Sequence, residues 1–507
     1  MPKSCCRPSR REILRLSALI AGGTLVSVAG ADRAYAASTR SAGASPVFLD
    51  LVTVSEDSAI MTWYTGVPGT NDGTGQLKPA PADGEVLFGT SPSRLNRRAS
   101  GLTGTAYHYA ELTGLEPGQT YYYTALSGGK AATATKISGG RAAGAPAGDG
   151  VFSFTTPQPP PGRALFTIAL VNDLHVGETV AGLVGGFPSL KGIAQVPGEP
   201  PYAKLMAQAM VTDARARGAD FLLAAGDLSA EAEPAQLSLG KSILDGFGRY
   251  RRDYWVTRGN HDRAHAGSPY TTCSAGQYQG YDCFRDDWFG PAEPTYFTTA
   301  IGGLRLIGLD TYDKPGNGAD DGGMSDEQFD WFTGQVLADP DQPTLVFGHH
   351  PLQVHNLVTG TSGTELDAAQ AARTVALYQK APGVFLHHAG HTHRNYRTVL
   401  FNGAHRSPVV QQEVGAVKEY PGGFSLLRVH EGGYALNFYK QREELAREWS
   451  ERSRQEVDGL FPQITFGAAL SDRNSVEAWD FSGLSRKGRL AGCAMGQPHA
   501  TGEGLCR

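Results

Sequence analysis

Between residues 163 and 393, apolar runs of strand length repeatedly end within a few residues of a short motif built from Asp, Asn and His. The motifs are Asp173-Leu174-His175, Gly226-Asp227, Gly259-Asn260-His261-Asp262, Gly348-His349-His350 and Gly390-His391-Thr392-His393. The clearest runs, residues 165–171, 221–225, 345–347 and 384–386, are apolar throughout but for Thr167, as strands buried on both faces are. Helical patterns alternate with them. One covers residues 202–217 with Gly218 as its stop. Another follows Ser325, where Ser325 and Gln328 predict a capping box and Phe329, Phe332 and Val336 a buried stripe. Strands alternating with helices specify layered α/β architecture, in which C-terminal strand ends converge on one edge. The five polar motifs are therefore expected to meet at one site.

Together they hold three aspartates, an asparagine and six histidines, of which two aspartates, the asparagine and four histidines stand at chelating spacings. Asp-x-His and His-x-His place alternate side chains on one side of an extended segment, so both can reach one centre. Imidazole with carboxylate suits zinc, iron or manganese, whereas calcium and magnesium want oxygen alone. A single Gly-Asp or Gly-His pair says little in a chain with 65 glycines; the ordered set is what carries information. His355, His387, His388, His405, His430 and His499 fall outside it and read as hydrogen-bonded core or surface residues.

Residues 46–157 follow another pattern. Short β-rich runs such as 47–49, 59–64 and 85–89 are separated by Gly and Pro clusters. Leu115-Glu116-Pro117-Gly118-Gln119-Thr120-Tyr121 resembles the tyrosine corner of fibronectin type III domains, with Trp63 as an inter-sheet core residue. An all-β fibronectin III-like sandwich is expected over 46–157, then a linker at 157–162, an α/β domain over 163–440, and a charged helix (441–457) and cysteine-bearing tail over 441–507.

Residues 1–36 read as a twin-arginine signal peptide: Arg10-Arg11, a short apolar run diluted by glycine, then Ala34-Tyr35-Ala36 as a cleavage site. That run is too short for a stable membrane anchor. The expected location is secreted or cell-envelope, reached through the twin-arginine export machinery. Cleavage would remove six positive and two negative charges and move the formal net charge from −5 to −9. So acidic a protein does not bind nucleic acid by bulk attraction. Four cysteines would remain. Export permits oxidation, and the expected bridges are Cys273 with Cys283 and Cys493 with Cys506, each closing a short Gly-rich loop.

The motif set as a whole resembles the calcineurin-like metallophosphoesterase superfamily over residues 163–440. A preceding fibronectin-type sandwich is also found in purple acid phosphatases, which belong to it. The resemblance implies an α/β metallophosphoesterase core of β-sheets layered with helices and a dinuclear centre of iron, manganese or zinc. Asp173, His175, Asp227 and His393 would hold one metal ion. Asp227 would bridge to a second, also held by Asn260, His349 and His391. His261 would stand near the leaving group with Asp262 as its orienting partner, and His350 and Arg394 are candidates for contacting substrate. Two departures from purple acid phosphatases matter: they lack a histidine at the place of His175, and they carry a tyrosine at the place of Ala230. Asp173-Leu174-His175 and His349-His350-Pro351 look closer to class III cyclic-nucleotide phosphodiesterases. The implied activity is hydrolysis of small phosphoric mono- or diesters by a metal-activated hydroxide. The alternative is a non-catalytic secreted binding protein built on the fibronectin-like module, which loss of a ligand would favour; every expected ligand is present.

Overall fold

The computed structural model describes residues 43–137, 139–182, 192–263, 273, 282–314, 320–354, 365–402 and 405–485. The expected signal peptide, Cys493, Cys506, His355, His499 and the side chain of His405 lie outside the described residues.

The N-terminal region is a β-sandwich. Ser45–Val54, Ser58–Gly66 and Tyr107–Thr113 form one antiparallel sheet. The other runs in the order Arg97–Ser100, Gly84–Gly89, Thr120–Ser127, Val151–Thr155, Ala145–Gly148. Trp63 is buried between them and donates from Nε1 to Ser127 Oγ at 2.8 Å. The Tyr121 hydroxyl accepts from the Glu116 backbone N–H at 2.9 Å, closing the corner expected from the sequence. Residues 59–64 carry apolar side chains on successive positions, Ala59 to Met61, because this sheet is covered on both faces. Met61 and Trp63 pack into the sandwich, while Ile60, pointing the other way, joins the core of the following domain.

That domain holds two six-stranded mixed sheets. In the first, Tyr254–Thr257, Phe221–Ala225 and Ala164–Val171 are parallel, and Gly423–His430, Gly433–Lys440 and Asn474–Ala478 continue antiparallel. In the second, Leu304–Gly308, Thr344–Phe347, Val384–Ala389 and His405–Glu413 are parallel, with antiparallel Phe297–Ile301 and Tyr396–Asn402 at the edges. Alternation again assigns the faces. Leu306 and Leu345 pack toward the first sheet, whereas Ile307 and Val346 pack against helices Asp326–Ala338 and Ala368–Tyr378. The parallel strands bring their C-terminal ends, and with them all five motifs, to one edge.

Three local expectations differ from the structure. Ser325 Oγ caps its helix by accepting from Gln328 N, but the Gln328 side chain does not complete the capping box. It binds the Asp310 backbone on both sides instead, at 2.9 Å each, because Asp310 follows a buried strand end and needs partners there. The helix expected over 441–457 spans only Glu444–Ser453; beyond it Val457 and Asp458 take left-handed φ values of 51° and 53°. Finally, Asn474–Ala478 pairs with Gly433–Lys440, so chain beyond residue 440 extends the first sheet. Among the described residues no helix is long and apolar enough to cross a membrane.

Candidate metal centre

The turns that carry the motifs are strained. Asp173, His175, Asp227, His391 and His393 all have positive φ, from 43° to 68°. Such conformations cost about 1–3 kcal/mol each and persist only where their surroundings over-determine them. Close packing adds a further constraint: a Cβ on Gly259 would stand 2.0 Å from Asp227 Oδ1, so only glycine lets the two loops approach.

Each aspartate has one oxygen tied down and the other turned inward. Asp173 Oδ2 accepts from Asn172 Nδ2 at 2.5 Å and from His391 N at 3.0 Å. Its Oδ1 faces His393 Nε2 at 3.2 Å and His175 Nε2 at 3.7 Å. Asp227 Oδ1 accepts from His261 N at 2.9 Å, while Oδ2 lies 3.3 Å from His175 Nε2 and 3.1 Å from His349 Nε2. His349 Nε2 is also 3.1 Å from Asn260 Oδ1 and 3.2 Å from His391 Nδ1. All seven candidate ligands thus form one chain of contacts, with Asp227 between its halves.

Electrostatics describes the same demand. Burial alone would push the Asp173 and Asp227 carboxyls up, yet His393 beside the first and His349 beside the second help hold both well below the usual carboxylate range. Burial would push His349 and His393 down; carboxylates, Asp227 for the former and Asp173 and Glu419 for the latter, hold each up at about 9. This cluster calls for positive charge. Asp173 Oδ1 and His175 Nε2 are moreover buried without a hydrogen bond, which inside a protein costs about 1–3 kcal/mol per group. Donor atoms close enough to share an ion occur as Asp173/His175/His393 and as Asp173/Asp227/His349. The residues fit a metal.

Residues 166–395 match the family model described as Calcineurin-like phosphoesterase. These residues form a calcineurin-like phosphoesterase domain. The chain is also 26% identical over 230 residues to a probable cyclic nucleotide phosphodiesterase of Synechococcus sp., covering 45% of this chain and 74% of that one. A purple acid phosphatase from yellow lupin (Lupinus luteus) seeds aligns over 79% of this chain and 73% of its own, at 15% identity and a TM-score of 0.39. PhoD aligns over 77% and 85%, at 12% identity and a TM-score of 0.37. Likenesses this loose assign no residue a role.

Within the phosphoesterase domain, three residues do not stand as the sequence suggested. Asp262, expected beside the His261 ring, accepts from Gly259 N, Leu228 N, Ser229 N and Ser229 Oγ at 2.9–3.1 Å and so ties two motif loops together. Burial, then Asp227, pushes its carboxyl up to about 6. The group against His261 Nδ1 is instead the Ala230 carbonyl, at 2.6 Å. His350 is close enough to His349 and His391 to share an ion, but its Nδ1 lies 2.8 Å from Thr311 Oγ1 and its Nε2 2.9 Å from the Asp320 carbonyl. With both nitrogens engaged, it is a packed neighbour of the centre. Arg394 is buried and paired with Glu413 at 2.7 and 3.0 Å, so its guanidinium is engaged within the fold. His387 and His388 are core residues, as read. Cys273 and Cys283 form the expected disulfide.

A cleft of about 560 Å³ opens over the centre, and part of its wall is chain that the motifs did not point to. Glu178, Lys418, Glu419, Glu456, Val457 and Phe461 all line it. Glu456 is fully buried, both its oxygens lack hydrogen bonds, and burial together with Glu419 pushes its carboxyl well above the usual range. Only Glu178 carried a sequence signal, standing three residues after His175 on the same turn.

Proposed function

We propose that this chain is a phosphoric-ester hydrolase, exported through the twin-arginine route, that acts on small phosphomonoesters or phosphodiesters with two metal ions. The observation that supports it is the pairing of inward oxygens: Asp173 Oδ1 serves one half of the centre, and Asp227 Oδ2 stands between both. Asp173, His175, Asp227 and His393 would hold one ion; Asp227, Asn260, His349 and His391 would hold the other. Such ions, when bound, neutralise phosphate oxygens and lower the pKa of a water.

The remaining work falls to the chain itself. The Ala230 carbonyl accepts a hydrogen bond from His261 Nδ1, so Nε2 is the nitrogen left to exchange a proton with the leaving oxygen. His261 N donates to Asp227 Oδ1, which keeps that ring in register with the centre. Buried Asp262 holds the loops that set this distance. A panel of chromogenic phosphate mono- and diesters, assayed with metal-loaded protein, tests the reading. Turnover of at least one class is expected, and inertness toward both would favour the binding-protein alternative.

A further inference from the structure

Behind the Asp173–His175–His393 half of the centre stand Glu178, Lys418 and Glu419, none of which the chemistry above employs. His393 Nδ1 is 2.5 Å from Glu419 Oε1. His175 Nδ1 is 3.0 Å from Glu178 Oε2, close in distance though bent away from a straight hydrogen bond. One ammonium joins the two carboxylates: Lys418 Nζ lies 2.7 Å from each Glu178 oxygen and 3.2 Å from Glu419 Oε2.

This unit is anchored to the centre by backbone. Lys418 N donates to the Asp173 carbonyl at 3.2 Å, and the Lys418 carbonyl accepts from Trp449 Nε1 at 2.8 Å. The Tyr202 hydroxyl donates to Glu178 Oε1 at 2.5 Å. Lys418 and Glu419 are buried. The other half of the centre is built differently: His349 Nδ1 meets only a neutral acceptor, the Ala225 carbonyl, at 2.8 Å.

A carboxylate on the far nitrogen of a histidine fixes the tautomer, orients the ring and makes the near nitrogen a stronger donor to metal. A buried ammonium between two such carboxylates offsets the repulsion that would otherwise drive them apart. We propose that Lys418 is a positioning residue: through Glu178 and Glu419 it sets His175 and His393 together, and so makes their half the tighter of two cation sites. The inference rests on the reading of Asp173, His175 and His393 as ligands of one ion.

Mn²⁺ titration of the metal-free, full-length protein, followed by calorimetry and by the spin signal of free Mn²⁺, tests it without any turnover assay. Wild type should bind in two steps, and His393→Ala should abolish the tighter one; that arm tests the ligand reading itself. Lys418→Met should weaken the tighter step about 10- to 100-fold and leave the weaker step unchanged. Glu178→Gln keeps the side chain's shape, guards against a variant that fails to fold, and should weaken the same step by a similar factor. Lys418→Arg, which preserves the charge between the two carboxylates, should recover most of the affinity. Equal losses in both steps would show a general packing role and overturn the proposal, as would no loss in either. A wild type that binds no Mn²⁺ would overturn the ligand reading along with it.

Discussion

Asp50 and Asp173 are both fully buried carboxylates, and their surroundings are built on opposite terms. Asp50, on the Ser45–Val54 strand of the sandwich, meets Arg454 Nη2 at 2.6 Å and Lys440 Nζ at 3.0 Å across the contact with the phosphoesterase domain. Tyr420 OH donates to it at 3.0 Å and Thr135 Oγ1 at 2.5 Å. Burial would push its carboxyl up, but the two cations hold it down at about 2. That cluster is complete as folded. At the centre, by contrast, carboxylates and imidazoles converge on a common point from strained turns, and Asp173 Oδ1 is left without a hydrogen bond. Charges that lock two domains are paired within the chain; those at the centre converge from separate loops as a set of donors suited to a metal ion.

The largest effect expected from this contrast is on metal content. Asp227→Asn should weaken both sites at once and take hydrolysis to background, whereas Asp50→Asn should leave metal content unchanged. Elemental analysis of both variants decides, and a centre emptied equally by both would erase the distinction. His261→Ala comes next. It should lower kcat for an alkyl phosphate ester by about 10²–10⁴-fold, and for a nitrophenyl ester much less, because that leaving group departs without a proton. Metal content should hold; its loss would make His261 a ligand.

Asp50→Ala should cost about 3–5 kcal/mol in denaturant unfolding, because Arg454 and Lys440 stay buried with only Glu451, at 2.8 and 3.8 Å, left to share. A loss no larger than that of an exposed pair, about 0–1 kcal/mol, would mean that this cluster does not lock the domains. The smallest effect is on pH. Asp50 ionises more readily folded than unfolded, so its contribution is fully present above pH 3.8 and fades as the pH falls toward 2. The stability gap between wild type and Asp50→Asn should therefore narrow across that window, by about 2 kcal/mol. A gap that stays constant would contradict the pairing.

The same contrast explains what the sequence made legible. Ligands to one centre must recur where strands end, and a strand end is visible as an apolar run that stops, so the motifs that carry all seven candidate ligands were visible in the sequence, and the resemblance then singled out the seven. The groups that orient them obey no such spacing. Glu419 reaches His393, and Lys418 reaches Glu178, only because the loop bearing both hydrogen-bonds to the Asn172–Asp173 backbone. Asp262 was misplaced for a related reason. Adjacency to His261 in sequence suggested adjacency of side chains, but a short 3₁₀ turn over Asn260–Asp262 sends the two in different directions. The left-handed turn at Val457, between Glu456 and Phe461 in the cleft wall, runs against the preference of a β-branched residue; tertiary packing overrides local propensity there.

The central claim is that the donor set gathered around Asp173 and Asp227 is a catalytic metal centre. The most direct measurement is hydrolysis of a chromogenic phosphate ester by wild-type protein before chelation, after it and after metal is restored, with bound metal counted at each stage. The account predicts two ions per chain, activity that disappears as they are removed, and recovery on their return. Full activity in protein shown to be free of metal would contradict it.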